Sequence, residues 1–440
     1  MAEIIIIGAG AAGLMAAGAA ARQGHRVTVL EHTDRPGQKI LITGKGRCNL
    51  TNECTEEEFL HHVRTNDRFL YSSLSAFPPA KAMQLFQSLG VALKTERGRR
   101  VFPVSDKAEE VRQALLRYAA DARILYDGAA ELLLEPLAPP QPEPEAEPAE
   151  PAAAKKQKHA PKKKKDKGPQ FCCRGVRTQS GRVLHADAVL VATGGLSYPT
   201  TGSTGDGYRL AGQAGHTIVE PVPSLVSLVS SDKDCKKMMG LSLKNVTLTL
   251  LQDEKSIFTE QGEMLFTHFG ISGPLTLSAS SHLGDMKKHR YVAEIDLKPA
   301  LSAEQLYDRI GRDFALLANH AAQGALVKLL PASMQPVMVE RWGIDPATKA
   351  NQITREQRQQ LVQLIKHWRV PVTQRGDLAH AVITAGGVNV REVDPRTMAS
   401  KRAAGLYFAG EVLDVDAYTG GYNLQIAWCT AQAFANNLPL

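Results

Sequence analysis

Positions Ile4 to Ile7 are apolar and β-branched without interruption, the pattern of a strand buried on both faces of a parallel sheet. Glycines at Gly8, Gly10 and Gly13 end the run, and an Ala-rich stretch to about Gln23 predicts a helix. Arg26 to Leu30 then alternates into a second strand, so a βαβ unit opens the chain. Recurring Leu and Phe positions (Phe59, Leu60, Phe69, Leu70, Leu85) predict helices over 56–90. A further helix is expected over 108–120 and strands near Arg123–Tyr126 and Glu131–Leu134. From Phe171 a hairpin-like return runs through Val183, and Ala188–Ala192 is an apolar strand ending in Thr193-Gly194-Gly195. The pattern from about Pro221 to Leu297 alternates (Leu225–Leu228, Val246–Leu250, Tyr291–Leu297) and predicts a small antiparallel barrel or sandwich. Helices follow at Gln305–Leu317, Ala325–Leu330 and Arg355–Trp368. Strands return at Val370–Thr373, Ala379–Thr384 and Leu406–Ala409, before a terminal helix over Gly421–Asn436.

Residues 138–169 break this pattern: a Pro/Glu/Ala tract is followed by a Lys tract, a composition that cannot bury a core and predicts a disordered insertion. The insertion holds eight Lys against four Glu and one Asp, so it contributes +3 of the chain's net +7 and leaves the rest only weakly basic. It reads either as a solvated loop between strands or as an electrostatic tether for RNA phosphates. The six cysteines form no CxxC and no cluster with metal-ligand spacing, so no metal is expected and a reducing cytoplasm fits. Ile4–Ala21 is the one segment resembling a leader or membrane span; four glycines and the lack of a basic flank argue against both.

Gly8, Gly10 and Gly13 fall between strand and helix in a GxGxxG spacing, with Ala12 inside it. In that setting the first glycine makes a tight turn, the second lets backbone approach a pyrophosphate, and the third allows close helix–strand packing. Glu31, 18 residues beyond Gly13, ends the second strand where a carboxylate accepts from ribose hydroxyls. Two later strand-to-glycine turns, one with Thr193 and Gly194 and one with Gly410 and Glu411, favour FAD over NAD, because a simple dehydrogenase needs no cofactor contact so late in the chain. Gly202–Gly207 follows no strand and reads as a loop over the cofactor, so a separate NAD(P)H domain is not expected.

Several segments are more distinctive: 35–52 (RPGQKILITGKGRCNLTN), 100–105 (RVFPVS), 266–274 (FTHFGISGP), 384–388 (TAGGV), 410–414 (GEVLD) and 420–425 (GGYNLQ). With the N-terminal motif they resemble the YhiN/BaiN-type bacterial flavoprotein family over nearly the whole chain except 138–169. That resemblance implies an α/β fold of the two-dinucleotide-binding flavoprotein type: a Rossmann-like FAD-binding domain (1–200 and 386–440), an inserted β-barrel (221–300, return strands 367–385) and a helical subdomain (301–366). It also implies activities described as aminoacetone oxidase-like, bile-acid reductase-like, or the making of dihydrouridine in 23S ribosomal RNA. Reducing the uracil C5=C6 bond and reducing a bile-acid enone share one electronic logic: hydride to the β carbon, then a proton from a positioned acid. Three readings therefore stand: an rRNA-modifying reductase, a small-molecule reductase or oxidase, and a non-enzymatic flavin-binding RNA or assembly protein. NAD(P)H is a candidate electron donor, and the oligomeric state is not legible.

Candidate site residues follow. Cys48, in a Gly-rich loop with Gly44 and Gly46, reads as the proton donor or as a small residue packed beneath the cofactor. His268 reads as a second acid or as a structural histidine. Lys39 and Arg47 are candidates for holding a pyrophosphate or a substrate phosphate. Asn49 and Asn52 read as flavin-edge contacts or turn residues, while Gly421, Tyr422 and Asn423 begin a helix whose N–H groups would face the isoalloxazine O2. Arg99, Arg100 and Phe102 put charge beside an aromatic, suited to a splayed base with its phosphate.

Overall fold

A computed structural model describes residues 1–137 and 168–438. The Pro/Glu/Ala and Lys tracts lie outside the described residues. The first strand, Glu3–Ile7, is central in a five-stranded parallel sheet. Arg26–Glu31 and Arg123–Tyr126 lie on one side of it, Ala188–Val191 and Leu406–Phe408 on the other. Ile4 to Ile7 are all buried, as a strand covered on both faces requires. Helix Ala11–Arg22 packs against the terminal helix Tyr422–Asn436, so the two ends of the chain close one core. Gly18 permits the neighbouring helix to approach, because a Cβ there would lie 2.2 Å from the Tyr118 ring.

A ribbon of Ile218–Ser224 with Ile383–Val388 carries the chain out of this domain and back. Beyond it lies a seven-stranded antiparallel sheet, ordered Trp368–Val372, Tyr291–Asp296, Ser242–Gln252, Lys255–Thr267, Gly270–Ser272, Leu228–Val229, Gln374–Arg375. Its first and last members are one run of chain interrupted only at Thr373, whose N–H donates to the Val229 carbonyl at 2.9 Å. The sheet thus curls until its edges meet, which removes them from solvent. Helices Ala303–Leu316, Gln335–Trp342 and Arg355–Lys366 pack on it and share its core: Leu306, Phe314, Trp342 and Leu361 belong with Leu248, Ile295 and Trp368.

Several expected boundaries move. Leu225 takes φ +55°, so the strand expected at Leu225–Leu228 is broken where the chain turns from ribbon to barrel. The strand expected at Ala379–Thr384 begins at Ile383, because Asp377 caps a turn by accepting from the His380 N–H at 3.0 Å. The helix expected to reach Trp368 ends at Lys366, and Trp368 starts a strand. Ala325–Leu330 gives way to the short helix Ala322–Ala325. Helix Gln335–Trp342, absent from the sequence-based expectation, opens on a proline and stops at Gly343 with φ +73°.

Candidate active site

The carboxyl ends of the parallel strands open into a cavity of about 810 Å³, bordered also by the barrel. Open α/β sheets bind ligands at this end, and cofactor pockets run to about 300–1,000 Å³. The glycines of the first turn divide their roles. Gly8 has φ +100°, and a Cβ there would lie 2.7 Å from the Ala192 carbonyl; at Gly13 it would lie 1.9 Å from the Gly8 carbonyl. Gly10 needs glycine for neither reason: φ is −83°, and a Cβ would meet nothing within 4 Å. It lines the cavity, so the space its missing side chain leaves is cofactor space. Helix Ala11–Arg22 has no side-chain cap, leaving its first N–H groups to a phosphate. Ala12 also lines the cavity and lies against Gly410, where a Cβ would come within 2.9 Å of it.

Glu31 lines the cavity but already has work within the protein: it accepts from the Ala9 N–H at 2.9 Å and from the Thr33 N–H and hydroxyl at 2.8 Å. It latches the glycine turn. Thr193 and Gly194 border the cavity from the middle turn. Glu411 joins three parts of the fold. It accepts from Lys39 Nζ at 2.7 Å, the Ser197 hydroxyl at 2.8 Å and the Thr384 N–H at 2.9 Å. Lys39 also donates to Ser197 at 2.6 Å. Lys39, expected to hold a phosphate, lines the cavity with its charge neutralised by Glu411.

Arg47, also in the cavity lining, likewise has partners within the protein. It pairs with Glu96 and Asp106 and lies over the Phe102 ring, 4.2 Å from its centroid. The two carboxylates hold its charge at the cavity wall. Gly44 (φ +57°), Lys45 (φ +59°) and Gly46 (φ +84°) form a left-handed loop; Gly44 and Lys45 line the cavity, whereas Gly46 does not. Arg100 and Phe102 line the same side, Arg100 exposed and Phe102 buried. Neither Lys45 nor Arg100 has an acidic partner among the described residues.

Asn49, Gly420, Gly421 and Asn423 also border the cavity, where the terminal helix begins without a side-chain cap. Gly421 has φ +97°, and a Cβ there would lie 2.3 Å from the Thr51 carbonyl, so only glycine lets this helix start here. The Asn423 amide is spent on Ala417 and Tyr418, leaving backbone N–H as its contribution. The Tyr422 ring turns away to stack on His62 at 4.5 Å, and Asn52 ties the Gly98 and Gly420 carbonyls.

Both expected proton donors are corrected. Cys48 is fully buried outside the cavity lining, so it has no contact with a substrate in the cavity, and burial pushes its thiol up to about 12. His268 is exposed on a barrel turn against Phe269 and does not line the cavity. The sequence reading missed Tyr418, which does line it, and Ser197 and Thr384, which hold Glu411. The TGG run after Tyr418 was the available signal.

Two helix N-termini and three strand-end turns around one cavity define an enzyme of the FAD-dependent oxidoreductase class. The chain belongs to the HI0933-like protein Rossmann domain family, which it matches over residues 2–132 and 154–437. It is 32% identical to the ribosomal RNA dihydrouridine synthase of Haemophilus influenzae, over 98% of this chain and 97% of that protein. It is 31% identical to the 3-dehydro-bile acid delta(4,6)-reductase of Clostridium scindens, with the same shares covered. Identity to the ribosomal RNA dihydrouridine synthase of Escherichia coli is 27%, over 99% and 98%. The residues fit FAD: Gly10 leaves its pyrophosphate room, and the uncapped terminal helix offers N–H groups where a reduced ring gathers charge. Among the described residues no group of side chains could hold a metal ion, and no helix is long and apolar enough to cross a membrane.

Proposed function

We propose that this enzyme reduces a carbon–carbon double bond conjugated to a carbonyl, and that the bond is C5=C6 of a uridine in 23S rRNA. FAD, when bound, supplies hydride chemistry, and a reduced nicotinamide is the electron source this reading adopts. The chain's own tasks are to bind the substrate, orient the double bond and hand over a proton. The observation that carries the choice of substrate is the cationic rim. Lys45 and Arg100 are exposed at the cavity, whereas Lys39 and Arg47 are neutralised within the protein. Exposed cations without acidic partners among the described residues suit the phosphates flanking a nucleotide drawn into the cavity. Two relatives named for rRNA dihydrouridine synthesis agree with this reading.

Mapping dihydrouridine by mass spectrometry in 23S rRNA from cells with and without the gene tests it directly. One position should revert to uridine when the gene is lost, and an unchanged map ends the rRNA reading. A second reading, reduction of a small enone, draws on the bile-acid reductase relative. Salt separates the two: turnover on an rRNA transcript should fall steeply as salt rises, by counterion release, while turnover on an uncharged enone should not.

A further inference from the structure

Tyr418 borders the cavity just before the terminal helix, in the loop Ala417–Gly420, and belongs to no element of the nucleotide-binding sheet. Its N–H donates to the His62 carbonyl at 3.0 Å, which fixes the backbone. Its phenol reaches across to the barrel, where the oxygen lies 2.5 Å from His282 Nε2. The Leu277 side of helix Pro274–Ser280, which precedes His282, lines the same cavity. The Arg64 guanidinium carbon sits 5.6 Å from the Tyr418 ring centroid. Arg64 Nε is buried with no hydrogen-bond partner among the described residues. Burial raises the phenol, Arg64 draws it back down, and Glu260 raises it again. Burial likewise lowers His282 to about 4, so its imidazole is neutral at working pH. His62 lies edge-on to the Tyr418 ring at 6.0 Å.

We propose that Tyr418 is the proton donor of the double-bond reduction, and that His282 is the residue that positions its phenol. In the tautomer with hydrogen on Nε2, His282 donates to the phenol oxygen and leaves the phenol hydrogen unspent on the protein. The balance is complete. FAD, when bound and reduced by a nicotinamide, would supply hydride with both electrons to the β carbon, and the carbonyl oxygen would take up the displaced π pair as an enolate. The Tyr418 O–H bond then breaks and a C–H bond forms at the α carbon. The phenolate left behind is held by the His282 hydrogen bond and the Arg64 charge until solvent water returns the proton. This rests on the double-bond reductase reading but not on rRNA as the substrate.

The test uses holoenzyme of wild type, Tyr418→Phe, His282→Gln and His282→Leu, each checked for flavin content and thermal midpoint. Reduced enzyme is mixed in stopped flow with an unmodified 23S rRNA transcript, with 2-cyclohexenone, or with ferricyanide, which takes electrons without a proton to carbon. Tyr418→Phe should slow reoxidation by transcript or enone at least about 100-fold. It should leave reduction by NAD(P)H and reoxidation by ferricyanide unchanged. His282→Gln, which keeps a donor, should retain more of the enone rate than His282→Leu. On protein stripped of flavin, the 295 nm difference titration of wild type against Tyr418→Phe should show one phenol titrating above the usual range, and Arg64→Ala should move it higher. An inert transcript with a Tyr418-dependent enone rate ends the rRNA reading and leaves the proton donor standing. Equal enone rates in wild type and Tyr418→Phe overturn the proposal, as does a wild type that neither transcript nor enone reoxidises.

Discussion

Gly10 and Gly13 belong to one motif yet should fail in opposite ways when given a methyl group. At Gly10 the backbone is extended at φ −83°, ψ −164°, and a Cβ meets no protein atom within 4 Å. Gly10→Ala should therefore leave the flavin-free protein within about 1 kcal/mol of wild type, because the weaker helix cap and the stiffer unfolded chain nearly offset. The methyl would instead occupy the approach of the pyrophosphate. A loss of at least about 100-fold in FAD affinity, about 2.8 kcal/mol, is expected. At Gly13 the methyl would lie 1.9 Å from the Gly8 carbonyl oxygen, in backbone that has no room to yield. Gly13→Ala should cost roughly 3 kcal/mol or more with or without cofactor. The assay pairs thermal unfolding of the stripped proteins with titration of FAD by quenching of its fluorescence. Wild-type FAD affinity in Gly10→Ala, or a stripped Gly10→Ala protein as unstable as Gly13→Ala, would refute the reasoning.

Cys48→Ala should keep turnover, and the native Cys48 thiol should resist thiol reagents, since burial holds it at about 12; loss of the chemical step in that variant would contradict its placement. Lys39→Met strips Glu411 of its cation and should destabilise the protein by roughly 1–3 kcal/mol, with Glu411→Gln in the same background restoring part of the loss in thermal melts. His216 is buried and lowered to about 4 in the folded state, so the unfolded chain binds more protons between there and the ordinary histidine value of about 6.5. Its contribution is present above about 6.5 and lost as pH falls toward 4, on the order of 3 kcal/mol, and His216→Gln should flatten denaturation midpoints across that window. Lys45→Glu should weaken binding of an rRNA transcript and reduce its salt dependence while leaving FAD content unchanged.

Local pattern alone determined the nucleotide-binding half of this protein. Ile4–Ile7, the GxGxxG turn, Glu31 and the late Gly410-Glu411 turn announce themselves because each is a short-range device: a buried strand, a helix N-terminus, a carboxylate one strand away. Glycine spacing also marked where the terminal helix starts, since only a residue without Cβ fits against Thr51. What sequence could not reveal is which charges are already spent. Lys39 meets Glu411 across 372 residues, and Arg47 meets Glu96 at the end of a strand and Asp106 in the turn beyond the next, so both cavity cations already have partners within the protein. Cys48 lies in a loop that looked reactive and is sealed by packing. Tyr418 gains its meaning only from His282, contributed by a barrel 136 positions away in the chain. Burial and ion pairing are properties of the assembled chain, because both depend on groups that pattern along the sequence never brings side by side.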